Sequence, residues 1–191
     1  MKSVETYFPA NKTDWRQWLE LNHKTKEAVW VVFYKKNAPN HNLSWSDSVD
    51  EALCFGWIDS TKRSIDSEKF MQYFSKRKAK SNWSKINKAK VKTLIEEGLM
   101  TAEGYKSIEV AKENGSWTIL DDVEALVLPP DLKEALSNSN RAVAFYENLS
   151  KSAKKILLHW VISAKRPETR QKRIVEIVDN AQENLKPKQF R

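Results

Sequence analysis

Residues 28–34 read Ala-Val-Trp-Val-Val-Phe-Tyr, a β-branched and aromatic run with no polar interruption. Such a run fits a strand covered on both faces, so the chain must build a sheet. Trp57 to Ile65 alternates in character and pairs with Phe70–Phe74 across the polar turn Asp66-Ser67-Glu68-Lys69. That pairing would set Trp57, Asp59, Thr61, Arg63 and Ile65 on one face. After Lys80 the pattern is helical only. The expected fold is therefore α+β, with a small antiparallel sheet and two helices in the N-terminal half and a helical array in the C-terminal half. The expected division is an α+β subdomain over 1–80 and a helical subdomain over 81–191 packed on it, or one continuous domain, with residues 76–92 as the junction.

Caps and stripes place the helices. Thr13 can cap the first, with Asp14 at its positive end and Trp15, Trp18, Leu19 and Asn22 at helical spacing. Residues 37–42 are a loop by composition. Ser44 opens a second helix with Val49, Ala52 and Leu53 inward, closed by Gly56. Residues 82–97 and 101–114 read as helices closed by Gly98 and Gly115. A Leu128-Pro129-Pro130-Asp131 loop leads to a short helix over 131–137, and Asn138-Ser139-Asn140 starts another that reaches Asn148. Ser150 caps a helix whose apolar face is Ala153, Ile156, Leu157, Trp160, Val161 and Ala164. Pro167 opens the last, striped by Ile174, Ile177, Val178, Ala181 and Leu185, and Lys186 to Arg191 should fray.

Composition removes several function classes. Of 191 residues only four are Gly, and neither GxGxxG nor GxxxxGK[ST] occurs, so no Gly-rich phosphate loop can be written. The single cysteine permits no internal disulfide or Cys-based metal cluster and suits a reducing compartment. His23, His41 and His159 share no metal-ligand spacing, and neither a metal nor a cofactor is expected. No apolar run approaches the roughly 20 residues that span a bilayer. Met1 to Thr6 carries no apolar signal core. The expectation is a basic cytoplasmic protein without membrane insertion.

The net charge of +8 is unevenly distributed. Residues 61–92 carry eleven basic and two acidic groups, 93–148 four and eleven, and 149–191 eleven and four. From Lys76 to Lys92 there are eight basic residues and no acid. Such a block either faces an anionic partner or pairs with the acidic segment after it.

Four stretches point to a family. Glu51-Ala52-Leu53-Cys54-Phe55-Gly56-Trp57-Ile58-Asp59-Ser60 resembles the signature of the YdeI/OmpD-associated family, also called bacteriocin-protection proteins. Phe74 to Lys78 with Ser81 to Asn87 is similar to the family's FSPRKxxSxWSxxN segment. Gly98 to Gly104 resembles GxMxPxG, and Ala164 to Ile174 resembles the AKRxETRxxRI tail. The resemblance runs from about residue 6 to about residue 185. Lys76 stands where the FSPRK pattern has proline, at a turn position. The resemblance implies a bacterial protein linked to bacteriocin tolerance or to an outer-membrane protein. It carries no established reaction.

Two clusters are candidate sites. Trp57, Asp59, Arg77, Lys78, Ser81, Trp83 and Asn87 either line a cleft for an anionic or planar ligand or form a hairpin-to-helix junction in which Asp59 pairs with Arg77. Asn87, Val91 and Ile95 follow Trp83 at four-residue spacing on a core-facing stripe. Lys165, Arg166, Glu168, Arg170 and Arg173 either complete that site from the C-terminal half or form a salt-bridge network. Cys54 reads as a small core residue.

The leading expectation is a binding protein without enzymatic activity. It would hold an anionic small molecule or an acidic protein surface in a basic, Trp-lined cleft between the halves, with Asp59 orienting Arg77. One alternative is an enzyme using Asp59 as general base at the same place. Another is weakly specific nucleic-acid binding through 76–92, which no recognised motif supports. The sequence leaves oligomeric state open.

Overall fold

The computed structural model describes residues 4–38 and 41–191, so Pro39 and Asn40 of the expected 37–42 loop lie outside the described residues. The chain divides into two compact units, the first ending at Thr118 and the second running over Ile119–Arg191. The change to purely helical character after residue 80 falls inside the first unit. The fold is α+β. Among the described residues no helix is long and apolar enough to cross a membrane.

The first unit holds a four-stranded sheet of β1 (Thr6–Tyr7), β2 (Ala28–Tyr34), β3 (Trp57–Ser64) and β4 (Lys69–Lys76) in the order β1-β2-β4-β3. The sequence reading missed β1, two residues long, which runs parallel to β2 with Thr6 opposite Trp30. The sheet is thus mixed rather than purely antiparallel. β2 pairs antiparallel with β4 along its whole length, from Ala28 opposite Ser75 to Tyr34 opposite Lys69. Val29, Val31 and Phe33 are fully buried, whereas Trp30 and Tyr34 on the other face are only half-buried. On that second face Val32 is also buried, at 7 %, so both faces of β2 are sheltered while the main core packs on the first.

The β3–β4 hairpin forms around the expected turn. The Asp66 carboxylate accepts backbone N–H bonds from Glu68 at 2.8 Å and Lys69 at 2.7 Å, the Asx geometry that makes Asp a turn former. The expected single face from Trp57 to Ile65 is not kept. The register shifts between Asp59 and Lys62, so that Lys62 rather than Thr61 stands opposite Gln72. Beyond this bulge the alternation inverts. Arg63 then sits opposite Met71 and over the Trp30 ring at 4.7 Å, on the face away from Asp59.

Helices α1 (Lys12–Asn22), α2 (Trp45–Cys54), α3 (Lys85–Glu96) and α4 (Ala102–Glu113) complete the unit. Asn11, not Thr13, caps α1, because its side-chain oxygen accepts from Asp14 N–H at 2.9 Å. Ser44, Ser84 and Thr101 cap the other three through the same bond to the third residue on. On α3 the buried positions are Val91 and Leu94; Ile95 is 40 % exposed, so the expected stripe through Ile95 is displaced by one residue. Trp15, Trp18, Trp57, Trp83 and Phe74 lie in one core with Leu19, Val49 and Leu53.

α4 docks directly onto the segment between α2 and β3. The Thr101 amide and hydroxyl both donate to Cys54 O, at 3.1 and 2.7 Å. A Cβ on Gly104 would overlap the Cys54 carbonyl and the Met100 methyl, and one on Gly56, itself at φ +71°, would stand 3.0 Å from Glu103 O. The backbones approach this closely only because both residues lack side chains. Thr101 thus supplies both a helix cap and a cross-link.

The second unit is α5 (Asp121–Glu124), α6 (Pro130–Ser137), α7 (Asn140–Asn148), α8 (Lys151–Ile162) and α9 (Pro167–Gln182). Its core includes Leu132, Leu136, Leu157, Leu158, Val161, Ile174, Ile177 and Ala181. Leu158 replaces Ile156 on the inward face of α8, and Ile156 is 49 % exposed. Leu185, the expected end of the α9 stripe, is 43 % exposed. The C-terminus is tied down rather than frayed: a 3₁₀ turn spans Lys188–Phe190, Phe190 packs edge-on against Trp160 at 5.3 Å, and Arg191 Nη2 donates to Asn180 Oδ1 at 2.7 Å.

Gly104→Ala should destabilise the protein by about 2–3 kcal/mol through overpacking against the Cys54 carbonyl. Gly115→Ala, where a Cβ meets nothing within 4 Å but φ is +79°, should cost about 1 kcal/mol from backbone strain alone. Urea unfolding of the two variants measures the difference; equal losses would contradict the close-approach account.

Candidate functional site

A cavity of about 400 Å³ opens in the first unit. Its walls come from four places: His23 and Lys24 after α1, Phe55-Gly56-Trp57 between α2 and β3, Lys76 to Ala79 at the end of β4, and Glu103, Lys106, Ser107 and Val110 on α4. The docking of α4 at Gly56 and Gly104 sets the distance between the second and fourth walls.

Arg77 is the central residue of this cavity. Its guanidinium stacks over the Trp83 indole at 3.7 Å from the ring centre, and Nη2 donates to Asn82 O at 2.5 Å. Nε and Nη1, which carry three of the group's five N–H donors, are buried and have no acceptor. Burial pushes the Arg77 pKa down to about 10, against a smaller opposing attraction from the Asp59 charge. Two further unpartnered nitrogens belong to the walls: Trp57 Nε1, on a side chain 1 % exposed, and His23 Nε2, on one 8 % exposed. His23 Nδ1 lies 2.7 Å from Leu19 O, and its Nε2 stands 3.5 Å from Glu103 Oε2.

Glu103 is the one acid lining the cavity, and its carboxyl is held below the usual range by the Lys24 ammonium at 3.1 Å. Lys76 Nζ pairs with Glu27 at 2.7 Å. Among the described residues neither Lys78 nor Lys106, both exposed, has an ion-pair partner. The cavity therefore combines an apolar floor of Phe55, Trp57, Ala79 and Val110 with excess positive charge.

The sequence-predicted residues fall in different places. Trp57, Arg77 and Lys78 line the cavity, and Trp83 supports Arg77 from the core. Asp59 does not line it and makes no hydrogen bond to Arg77; its Oδ2 accepts from Trp45 Nε1 and Gln72 Nε2, both at 3.0 Å. The orientation of Arg77 comes from Trp83 and Asn82 instead. Ser81 closes a turn onto Lys78 O at 2.9 Å, and the Asn87 amide receives the Ser84 cap. Sequence reasoning missed His23, Glu103, Lys106 and Val110, which no motif announced.

In the second unit Arg170 grips Asp131 with two bonds, Nε to Oδ2 at 2.6 Å and Nη2 to Oδ1 at 2.9 Å. Arg173 Nη1 donates to Trp160 O and, at 3.0 Å, to Ser163 Oγ. Both guanidiniums thus hold α9 to α6 and α8. Lys165, Arg166 and Glu168 are exposed, and Arg166 precedes α9 without a side-chain cap bond.

The basic block is partly neutralised from within the first unit. Lys76 meets Glu27, Lys90 meets Asp50 at 2.6 Å, and Lys92 lies 3.9 Å from Glu96. Cys54 is fully buried, and its thiol is pushed up to about 11, chiefly by desolvation and then by the Glu51 charge. Buried Glu51 itself pairs with Arg16 at 2.7 Å and Lys12 at 3.3 Å.

The Arg170 bonds depress the Asp131 pKa. A depressed folded-state pKa gives stability that is complete above the unfolded carboxyl value, about 3.9, and is lost as pH falls through the lower folded value. The Asp131 side chain is 42 % exposed, so the pair contributes about 1 kcal/mol or less. Asp131→Asn should lower Tm at pH 7 by roughly 2–4 °C, and the gap from wild type should close on acidification below the carboxyl range. Thermal melts across that range measure it; a gap independent of pH would contradict the assignment.

Comparison with family models found two matches. Residues 7–107 match a domain of unknown function (DUF8412), and residues 125–184 match the family described as Bacteriocin-protection, YdeI or OmpD-Associated. Every cavity residue except Val110 falls in the first match. No match was found among curated proteins or solved structures. The first match covers more than half of the chain, which therefore belongs to the DUF8412 family and carries a YdeI/OmpD-associated bacteriocin-protection domain in its second unit.

Proposed function

We propose that the chain is a binding protein rather than an enzyme, and that it takes a small anionic molecule in the cavity of the first unit. Arg77 carries this reading. Burial lowers its pKa, yet three of its N–H groups meet no acceptor. Such a group is costly unless something supplies counter-charge and hydrogen bonds. An anion in the cavity would supply the counter-charge, and Lys78 and Lys106 at the rim would draw it in.

The catalytic alternative needs Asp59 as a base beside the bound molecule. Asp59 lines no part of this cavity, and its carboxylate already takes two side-chain N–H bonds. That favours binding over acid–base chemistry. The YdeI/OmpD-associated description of the second unit names a setting, bacteriocin protection, in which a binding protein of this kind would act.

Trp57 and Trp83 flank Arg77, so intrinsic fluorescence reports on the site. Saturable quenching by at least one small anion is expected, from a panel of benzoate, phosphate, citrate and a short single-stranded oligonucleotide at low and physiological salt. The exposed-rim variant Lys78→Glu/Lys106→Glu should bind about tenfold or more weakly. No response from any panel member would overturn the reading. Binding of the oligonucleotide alone, with a steep loss in salt, would replace it with nucleic-acid binding.

A further inference from the structure

The sheet of the first unit has a second face that the main core does not use. Helices α1 and α2 pack on the face that carries Val29, Val31, Phe33 and Phe74, with Trp15 against Phe74 at 5.3 Å. On the other side the register sets Trp30 opposite Tyr73 and Val32 opposite Met71, and β3 adds Arg63. Trp30, Tyr34, Met71 and Tyr73 are half-buried and lie outside the core cluster. An antiparallel sheet that meets water on one side ordinarily carries polar residues there. This one carries aromatic rings: Trp30 and Tyr73 meet edge-on at 5.0 Å, and the exposed Phe8 lies 5.3 Å from Tyr34.

The same face is basic. Among the described residues Asp59 is the one acid in the four strands, and it stands opposite Phe74 on the core side, held by Trp45 and Gln72. Arg63, exposed on the edge strand, lies over the Trp30 ring at 4.7 Å, and Lys69 Nζ lies 5.5 Å from the Tyr34 ring centre. Of the acids beside the strands, Glu5 and Glu27 are paired with Lys26 and Lys76. At the hairpin end Asp66 and Glu68 are outnumbered by Lys35, Lys36 and Lys69.

Rings interleaved with cations fit one class of partner. Unpaired bases stack on aromatic rings and guanidinium planes, while cations follow the phosphates. A duplex keeps its bases stacked inside and would gain nothing from the rings. A second copy of the chain would bring like charge against this face. We infer that the outer sheet face binds single-stranded nucleic acid, with bases against Trp30, Tyr73 and Tyr34 and phosphates on Arg63 and Lys69. None of these residues lines the cavity, so this site is independent of the anion site.

The test is fluorescence anisotropy of labelled oligothymidylate and oligouridylate, each of about 15 nucleotides, with the whole protein at low and physiological salt. The two single strands share ring faces and phosphates, and should bind within about threefold of each other. Both should bind about tenfold or more tightly than a duplex of the same length, and more weakly as salt rises. Tyr73→Thr, which keeps strand propensity and charge, should weaken both about fivefold or more, and Tyr73→Phe should keep wild-type affinity. Arg63→Glu should weaken both and flatten the salt dependence. At physiological salt Lys85→Glu/Lys92→Glu on α3 and Lys78→Glu/Lys106→Glu at the cavity rim should each change affinity by less than about threefold. Duplex bound as tightly as single strand, Tyr73→Thr equal to wild type, or no binding at all would each overturn the proposal and leave the anion site untouched. Loss confined to the α3 variant would move the contact to the 76–92 block and overturn it as well. A wild-type dimer in light scattering, separated by Arg63→Glu or Tyr73→Thr, would give the face to a second copy instead.

Discussion

The guanidinium of Arg77 is where the fold and the proposed function meet. It follows the end of β4, sits over Trp83 just before α3, and lines the cavity while Nε and Nη1 stay buried and unmatched. Proteins rarely leave a buried donor without an acceptor. Here three nitrogens around one cavity are left so, two on Arg77 and one on Trp57. A site that must receive an anion cannot also satisfy its own donors internally, so the unfilled bonds and the proposed recognition are one feature seen from two sides.

That cavity exists because α4 can approach the α2–β3 junction. Gly56 and Gly104 remove the side chains that would hold the backbones apart, and Thr101 ties the helix start to Cys54 O. The close approach fixes Val110, Lys106 and Glu103 opposite Phe55 and Trp57. The same packing seals Cys54, whose raised thiol pKa follows from burial and the nearby Glu51 charge. Glu51 in turn is tolerated in the core only through Arg16 and Lys12. One local constraint therefore shapes the cavity wall and an ionic cluster beneath it.

The parts of this arrangement that sequence made legible are those written in local pattern. The apolar run of β2, the Asp66 turn and the Ser44 and Ser150 caps each depend on neighbours within a few residues, and each is where the pattern placed it. β1 escaped because two residues leave no periodicity. The bulge between Asp59 and Lys62 escaped because register is set by the partner strand, and with it fell the shared face of Trp57 and Arg63. Trp57, Arg77, Lys78 and Trp83 were legible as a group because Trp and Arg are the side chains of anion recognition. His23, Glu103 and Val110 were not: they reach the cavity from helices distant in sequence, through contacts that no spacing encodes. Of the two readings of the arginines near Pro167, a wall of the ligand site or a salt-bridge network, the contacts fit the second: Asp131 and helix carbonyls already occupy Arg170 and Arg173.

The central claim is that Arg77 is kept for binding and not for folding. Replacement by methionine, similar in length and apolar, separates the two roles. Equilibrium urea unfolding of Arg77→Met in the absence of any ligand is the direct measurement. The account predicts stability within about 1 kcal/mol of wild type, or higher, because the lost bond to the exposed Asn82 carbonyl is small beside the relief of an unmatched buried charge. A loss of roughly 3–5 kcal/mol, the signature of a broken buried ionic network, would contradict it and make Arg77 a structural residue.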